Sequence, residues 1–419
     1  MMKRAVSIII ACLMLASLFA CGTKADNQQP SSDSPTGSAP APTEGGAGDG
    51  GYGPFASAKA ADGMGFFNPD FDYSTMPKYK VAFLSMSWST IVQQFSDAYE
   101  IWAQKTNVEY TKWESGNDVD AMMVNIETQA NQGIDGVILN VFVTDIERAA
   151  EVATENGLFW IGNTDAPRGS DGKLIAPYAG LNFNKWGNVL MKQADQWCKD
   201  NFSDYDPATS RVLIMTFSPN IEFNERQYGM EEAWAELYPD LTDNLYVCDN
   251  ASQGNISPDI TYDLVATQMA AYPDTSHWII LGVLDWISAG GVRAAEQYGV
   301  EDRTCLATCG GEDYVKLLVA DQTSCWRFTS YQDISTLTNS IYNGLYAMIA
   351  GWAKPEELWS DYVLPGDTFA NLYLAFFTVD ADNYEQVFAY SDHLSGFNWY
   401  PDYAWDGQFT YPLLDSPSV

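Results

Sequence analysis

Residues 132–167, QGIDGVILNVFVTDIERAAEVATENGLFWIGNTDAP, decide the fold. The run IDGVILNVF is almost continuously apolar. A strand with one wet face would alternate polar and apolar residues, so this one must be covered on both faces. IERAAEVATENG has helical spacing and meets a stop at Gly157, where glycine can take the left-handed conformation that ends helices. LFWIGNT is then a second buried strand. Strand, crossover helix and strand make the unit of a parallel sheet, because parallel neighbours need a long connection between them.

The pattern extends in both directions. Upstream stand the strand YKVAFLSM, the helix SDAYEIWAQKT with Ala98, Ile101 and Trp102 on one face, the strand VEYTKWES, and the helix DAMMVNIETQANQG ending near Gly133. Downstream of Gly187 the alternation restarts with the helix WGNVLMKQADQWCKDNF. It runs through the strands SRVLIMTFS, LYVCDNA, SHWIILGV, TCLATCGG and CWRFTSY, with helices between them, to the long helix STLTNSIYNGLYAMIAG. The expectation is an α/β protein of two doubly wound parallel-sheet lobes. Ligands of such sheets sit outside the carboxyl ends of the strands, so two facing lobes would share one cleft.

The N-terminus is of another kind. Lys3 and Arg4 precede an apolar run from Ala5 to Ala20, which fits a secretory signal at residues 1–20 and is short for a membrane span. Leu18-Phe19-Ala20-Cys21 resembles a bacterial lipobox, which implies a lipid on Cys21 and an extracytoplasmic protein anchored to the cell membrane. Residues 21–76 would form the tether: the Gly, Ser, Pro and Thr of its Asn27–Gly53 tract cannot bury enough surface to offset ordering. The chain has 55 acidic and 21 basic residues, a net charge of −34, which argues against nucleic acid or anionic lipid as partners of the folded part. Of its 7 cysteines, Cys12 leaves with the signal and Cys21 takes the lipid. Cys198, Cys248, Cys305, Cys309 and Cys325 are an odd set without metal-ligand spacing, so they read as buried apolar residues and no metal or cofactor is expected.

The order of elements resembles the type I periplasmic-binding-protein superfamily, and within it the ribose/galactose-like sugar-binding proteins of ABC importers, over residues 78 to 390. The strand ending in Asn140, the strand leading to Asp165, the crossover YAGLNFNKWGNVL, the helix NERQYGMEEAW, the stretch GVLDWISAGGVRAAEQYG and the last crossover FFTVDADNYEQV carry the likeness. It implies three hinge crossovers, near Leu181, Tyr331 and Pro365. Lobe 1 would then be 78–181 plus 332–364 and lobe 2 would be 182–331 plus 365–395, with an aromatic extension, 396–419, packed on a lobe surface.

The same resemblance implies the site. Asp165 stands where the family binds sugar hydroxyls, and Asn140 where it places a direct or supporting contact. Ser85, Trp88 and Ser89 follow the first strand, where polar and stacking contacts occur. Asp285 and Trp286 end a second-lobe strand, Tyr331 and Gln332 lie at the second crossover, and Asn224 and Arg226 bracket the second-lobe arginine position. Asn182 and Asn255 are further candidates. Each has a plain structural counterpart: a helix cap for Asp165, a strand-end turn for Asn140, a core ring for Trp88. Departures from the ribose-type set are Ala166 in place of arginine, with Arg168 nearby, Leu284 in place of asparagine, and Cys309-Gly310 where an aspartate is usual. The chemistry suits sugars, since planar polar groups bond paired hydroxyls and rings cover C–H faces. The expected function is that of a monomeric solute-binding lipoprotein, not an enzyme, that hands a small ligand, a sugar by resemblance, to an ABC permease. A sensor presenting a sugar, nucleoside or signalling molecule to a receptor kinase is the alternative, and a secreted glycosidase stands last.

Overall fold

The apolar runs become two sheets. In the computed structural model, which describes residues 67–414 apart from Val143 and Thr164, strands β1 (Lys80–Ser85), β2 (Glu109–Glu114), β3 (Gly136–Asn140) and β4 (Phe159–Gly162) pair in the order β2-β1-β3-β4. All three pairings are parallel. Val81 to Ser85 and Gly136 to Leu139 are buried, as the continuous runs require, whereas β2 lies at the edge and has exposed residues. Helices α1 (Thr90–Lys105), α2 (Val119–Asn131) and α3 (Ile146–Glu155) connect them. Asp118 caps α2 by accepting from the Ala121 N–H at 2.9 Å, and Gly157 ends the α3 turn with φ +73°. The expected signal segment, the Cys21 anchor and tether residues 21–66 lie outside the described residues, but residues 67–76, expected in the tether, pack on the first lobe, where Tyr73 is buried and Phe67 lies 5.2 Å from Trp102.

A short strand β5 (Tyr178–Gly180) follows, and then the second lobe: α4 (Phe183–Asn201), β6 (Arg211–Thr216), α5 (Ile221–Leu237), β7 (Leu245–Asp249), α6 (Pro258–Ala271), β8 (Trp278–Gly282), α7 (Asp285–Tyr298), β9 (Thr304–Cys309), α8 (Glu312–Val319) and β10 (Trp326–Tyr331). After α9 (Ile334–Ile349) and β11 (Asn371–Tyr373) come β12 (Phe377–Asp380) and α10 (Tyr384–Ser395). The second sheet has the order β12-β10-β9-β8-β6-β7, and β12 is its antiparallel member.

The chain changes lobes by its pairings. After β5, α4 packs on β8, β9 and α5 of the second lobe. After β10, α9 returns to β3, β4 and α1 of the first. The third crossing departs from the expectation at Pro365. β11 still pairs with β5, from Tyr178↔Asn371 to Gly180↔Tyr373, before β12 joins β10. The chain therefore crosses between Tyr373 and Phe377, because the backbone hydrogen bonds of residues 371–373 are made on the first-lobe side.

The aromatic tail also differs from expectation. Tyr411 stacks on Phe377 at 4.0 Å and Tyr400 on Phe388 at 4.2 Å, while Phe397 meets Trp102 of α1 at 5.0 Å. It touches elements of both lobes across the third crossing, since that is where Phe377, Phe388 and Trp102 offer apolar rings to cover. Among the described residues the five cysteines are buried and unbridged, no group of His, Cys, Asp or Glu could hold a metal ion, and no helix is long and apolar enough to cross a membrane.

One close approach positions the site. A Cβ on Gly187 of α4 would lie 1.8 Å from the Arg226 carbonyl oxygen of α5, and one on Gly229 would lie 1.9 Å from that of Asn184. The two helices thus touch backbone to backbone, which sets Arg226 against the ring-bearing start of α4.

Candidate functional site

At the carboxyl ends of the first sheet, polar side chains form one relay. Tyr99 Oη donates to Asn163 Oδ1, Asn163 Nδ2 donates to Asn140 Oδ1 at 3.1 Å, Asn140 Nδ2 donates to Ser85 Oγ at 2.8 Å, and Ser85 Oγ donates to the Ser87 carbonyl at 2.5 Å. Tyr99, Asn163 and Ser85 are fully buried and Asn140 is half-buried. Ser85 and Asn140 are therefore brought together, but their bonds first serve to order the strand ends. Asn163, one strand over, completes the relay. Sequence reasoning passed over it, although its place two residues before Asp165 in IGNTD was the available signal.

Trp88 and Ser89 belong to the entry of α1. Trp88 Nε1 donates to Gln93 Oε1 at 2.6 Å, its ring is tilted against Phe83 at 6.0 Å, and the Lys112 ammonium lies 5.8 Å from its centroid. Exposed Ser89 is the helix N-cap and accepts from the Val92 N–H at 3.4 Å. A cap satisfies a backbone donor that the helix itself cannot pair.

Asp165, half-buried beyond β4, meets the second lobe. Its carboxyl is hydrogen-bonded to that of Glu222, in the first turn of α5. Burial, then the charge of Glu222, pushes the Asp165 pKa up to about 9. A buried carboxyl beside a second, negative one ionises reluctantly, so Asp165 keeps its proton near neutral pH. Tyr178 lies beside the pair, accepting the Leu181 N–H at 3.0 Å. Burial first, and then both carboxyls, raise its phenol well above the usual range.

One helical turn beyond Glu222, Arg226 is only 7% exposed. Its Nη1 donates to the Val283 carbonyl at 2.6 Å and its Nη2 stands 3.8 Å from the Glu222 carboxylate. The guanidinium carbon lies 4.4 Å from the centroid of Trp186, 4.9 Å from that of Phe183 and 5.5 Å from that of Phe223. Trp186 is itself held by a 2.9 Å bond from Nε1 to Ser330 Oγ and by stacking on Phe376 at 4.9 Å. The buried Nε of Arg226 has no hydrogen-bond partner. Glu222 escaped the sequence reading because the helix was begun after that residue. Asn220 is the true cap, accepting from Phe223 N–H at 3.0 Å, and a helix begun there carries Glu222 and Arg226 on one face.

The other candidates are placed elsewhere. Asp285 does not end a strand: β8 stops at Gly282, and Asp285 opens α7. It is 3% exposed and accepts from Thr308 Oγ1 at 2.5 Å, Thr329 Oγ1 at 3.3 Å, Gly311 N–H at 2.7 Å and Tyr314 N–H at 3.2 Å. This ties β9, β10 and the start of α8. A Cβ on Gly310 would fall 2.6 Å from that carboxyl carbon, which accounts for the glycine there. Neighbouring Cys309 is buried, its thiol pushed up to about 12 by that burial. Trp286 is 46% exposed beside Pro258 and Lys316. Asn224 Nδ2 holds the Ser218 carbonyl at 2.9 Å. Tyr331 is buried against Phe377 at 5.4 Å and Phe388 at 5.7 Å. Next to it, the buried Oε1 of half-buried Gln332 has no hydrogen-bond partner. Asn182 caps α4, Asn255 is exposed, and Arg168 Nη1 holds the Gly172 carbonyl at 2.9 Å within a local hairpin. The two-lobed contact that remains is Asp165 with Glu222 and Arg226, bordered by rings.

Residues 82–352 match the model of a family described as "Periplasmic binding protein domain". Similar solved structures include a solute-binding protein of an ABC transporter from Burkholderia graminis in complex with D-arabinose (16% identity, TM-score 0.54, covering 73% of this chain and 96% of that one). Another, from Actinobacillus succinogenes with bound D-allose, is 15% identical with TM-score 0.55, covering 73% and 98%. AraP, an arabinose-binding protein from Geobacillus stearothermophilus, is 17% identical with TM-score 0.55, covering 76% and 99%. No curated protein matches the chain significantly.

Proposed function

The chain belongs to the periplasmic binding protein domain family, and from that premise we propose that it captures a sugar between its lobes and presents it to an ABC importer. The carrying observation is that Asp165 of one lobe and Glu222 and Arg226 of the other meet in one place. Carboxyls and a guanidinium are the groups that make the stronger, charge-assisted bonds to hydroxyls, and flanking rings can cover a sugar's apolar face. The structural neighbours carrying D-arabinose and D-allose support the same ligand class.

The mechanism follows from the connections. Three crossings, at Leu181, Gln332 and 374–376, are the places where a few dihedral angles can absorb a rotation of one lobe against the other. A ligand bridging Asp165 and Glu222 contacts both lobes only when they are close, so it stabilises the closed form by its differential affinity. A permease then reads the closed surface. In this reading lobe 1 comprises 78–181 plus 332–373 and lobe 2 comprises 182–331 plus 377–395. A lipid on Cys21 and the tether after it hold both at the outer face of the membrane.

A thermal-shift panel of aldoses and polyols tests the reading, because a ligand at 100 times its Kd adds about 2.7 kcal/mol to stability. Small-angle scattering with a saturating hit should then show a smaller radius of gyration. An unchanged scattering curve at saturation would refute closure.

A further inference from the structure

We propose that Glu222 is a ligand-binding residue and that, facing Asp165, it takes the protonated amine of an amino sugar whose neighbouring hydroxyl oxygen accepts from Arg226. This rests on the sugar-binding reading above and names the class of sugar.

The geometry of the carboxyls comes first. Asp165 and Glu222 come from different lobes, and their carboxyls are hydrogen-bonded to each other. Such a pair needs one proton to be stable. With that proton it carries one negative charge, which the Arg226 guanidinium, 3.8 Å from Glu222, balances. An entering ammonium supplies a second cation. The Asp165 proton then leaves to solvent, two carboxylates face two cations, and the cluster is again neutral. A neutral sugar brings no charge to replace the proton and must break the carboxyl–carboxyl bond. A uronate would add a second negative charge, on a third carboxyl. The site thus sorts sugars by charge, favouring amine over alcohol and alcohol over acid. Tyr178 on β5 and Tyr373 beside it on β11, which also lie by the pair, are phenols and bring no cation.

Arg226 gives the second, independent observation. The residue is buried, two of its nitrogens are engaged, and its Nε has no acceptor. A buried donor without a partner calls for one. A hydroxyl oxygen next to the amine carbon supplies it, as in 2-amino-2-deoxy sugars. Half-buried Phe183 and Phe223, whose rings already face the guanidinium, offer apolar cover beside it.

The test is calorimetry on the mature chain at pH 6.5, in two buffers of different ionisation enthalpy. The probes are D-glucosamine, D-galactosamine and D-mannosamine, with D-glucose, D-galactose, D-mannose and D-glucuronate as controls. The expected result is that at least one amine binds about tenfold or more tightly than its parent sugar, releasing close to one proton, and that glucuronate does not bind. Glu222→Gln should keep the wild-type melting temperature within a few degrees, lose the preference for the amine and abolish the proton release. A parent sugar that binds as tightly as its amine, amine binding without proton release, or an unchanged preference in Glu222→Gln overturns the clamp. In each of those cases, binding of a sugar leaves the sugar-binding reading standing. Failure of every sugar, amino or neutral, overturns both.

Discussion

Two aspartates stand at matching places in the two lobes and do opposite things. Asp165 follows the β4 end at Gly162 with the spacing at which Asp285 follows the β8 end at Gly282. Asp285 receives four donors from its own chain. Among the described residues Asp165 receives no such set, and it faces a carboxyl of the other lobe instead. A carboxylate whose lone pairs are filled from within holds the fold together. One that meets a like group needs something from outside, a proton or a ligand. Strand-end position alone therefore does not mark a ligand contact; the supply of local donors decides.

The comparison breaks most easily at Asp285. Asp285→Ala removes the acceptor of two backbone N–H groups and one of the two acceptors of each of the Thr308 and Thr329 hydroxyls, and should destabilise the protein by about 3 kcal/mol, read from the urea midpoint. Unchanged stability with lost ligand affinity would mean that Asp285 is the ligand residue after all.

A smaller effect sharpens the other half. The Asp165 pKa is raised in the fold, to about 9 from its ordinary value of 3.8. Between those values the folded state binds more protons than the unfolded one, so this site's contribution is complete below pH 3.8 and declines as pH rises through about 9. Asp165→Asn removes the titration while keeping the bond to Glu222, and should flatten the stability–pH slope over that window. A difference between wild type and variant that does not vary with pH would show that Asp165 does not keep its proton in the fold.

The smallest effect concerns Trp286. At 46% exposure, Trp286→Ala should change stability by no more than about 0.5 kcal/mol and leave ligand affinity as it was. A marked loss of affinity by calorimetry would extend the site along α7.

Much of the fold was legible in the sequence because burial on both faces leaves a continuous apolar run, as in GVILN and WIILG, and because glycine marks helix ends, as at Gly157 and Gly299. The third crossing was not, since β11 is only Asn371–Tyr373 and its partner β5 lies far back in the chain. A three-residue strand has no period to detect. Of the site, Asp165 could be reached through the family resemblance. Its partner could not, because Glu222 is one of many acidic residues on exposed helical surface until α5 is docked against β4's far end.

The sequence by itself determined the alternation of strand and helix, and with it the doubly wound lobes, since these depend on burial patterns repeated every few residues. Only the tertiary structure decided which carboxylates are satisfied and which are not. Hydrogen-bond supply depends on groups distant in sequence: Thr308, Thr329 and Gly311 for Asp285, and Glu222 for Asp165. No local pattern encodes those meetings, because they arise only once the sheets have twisted and the helices have packed.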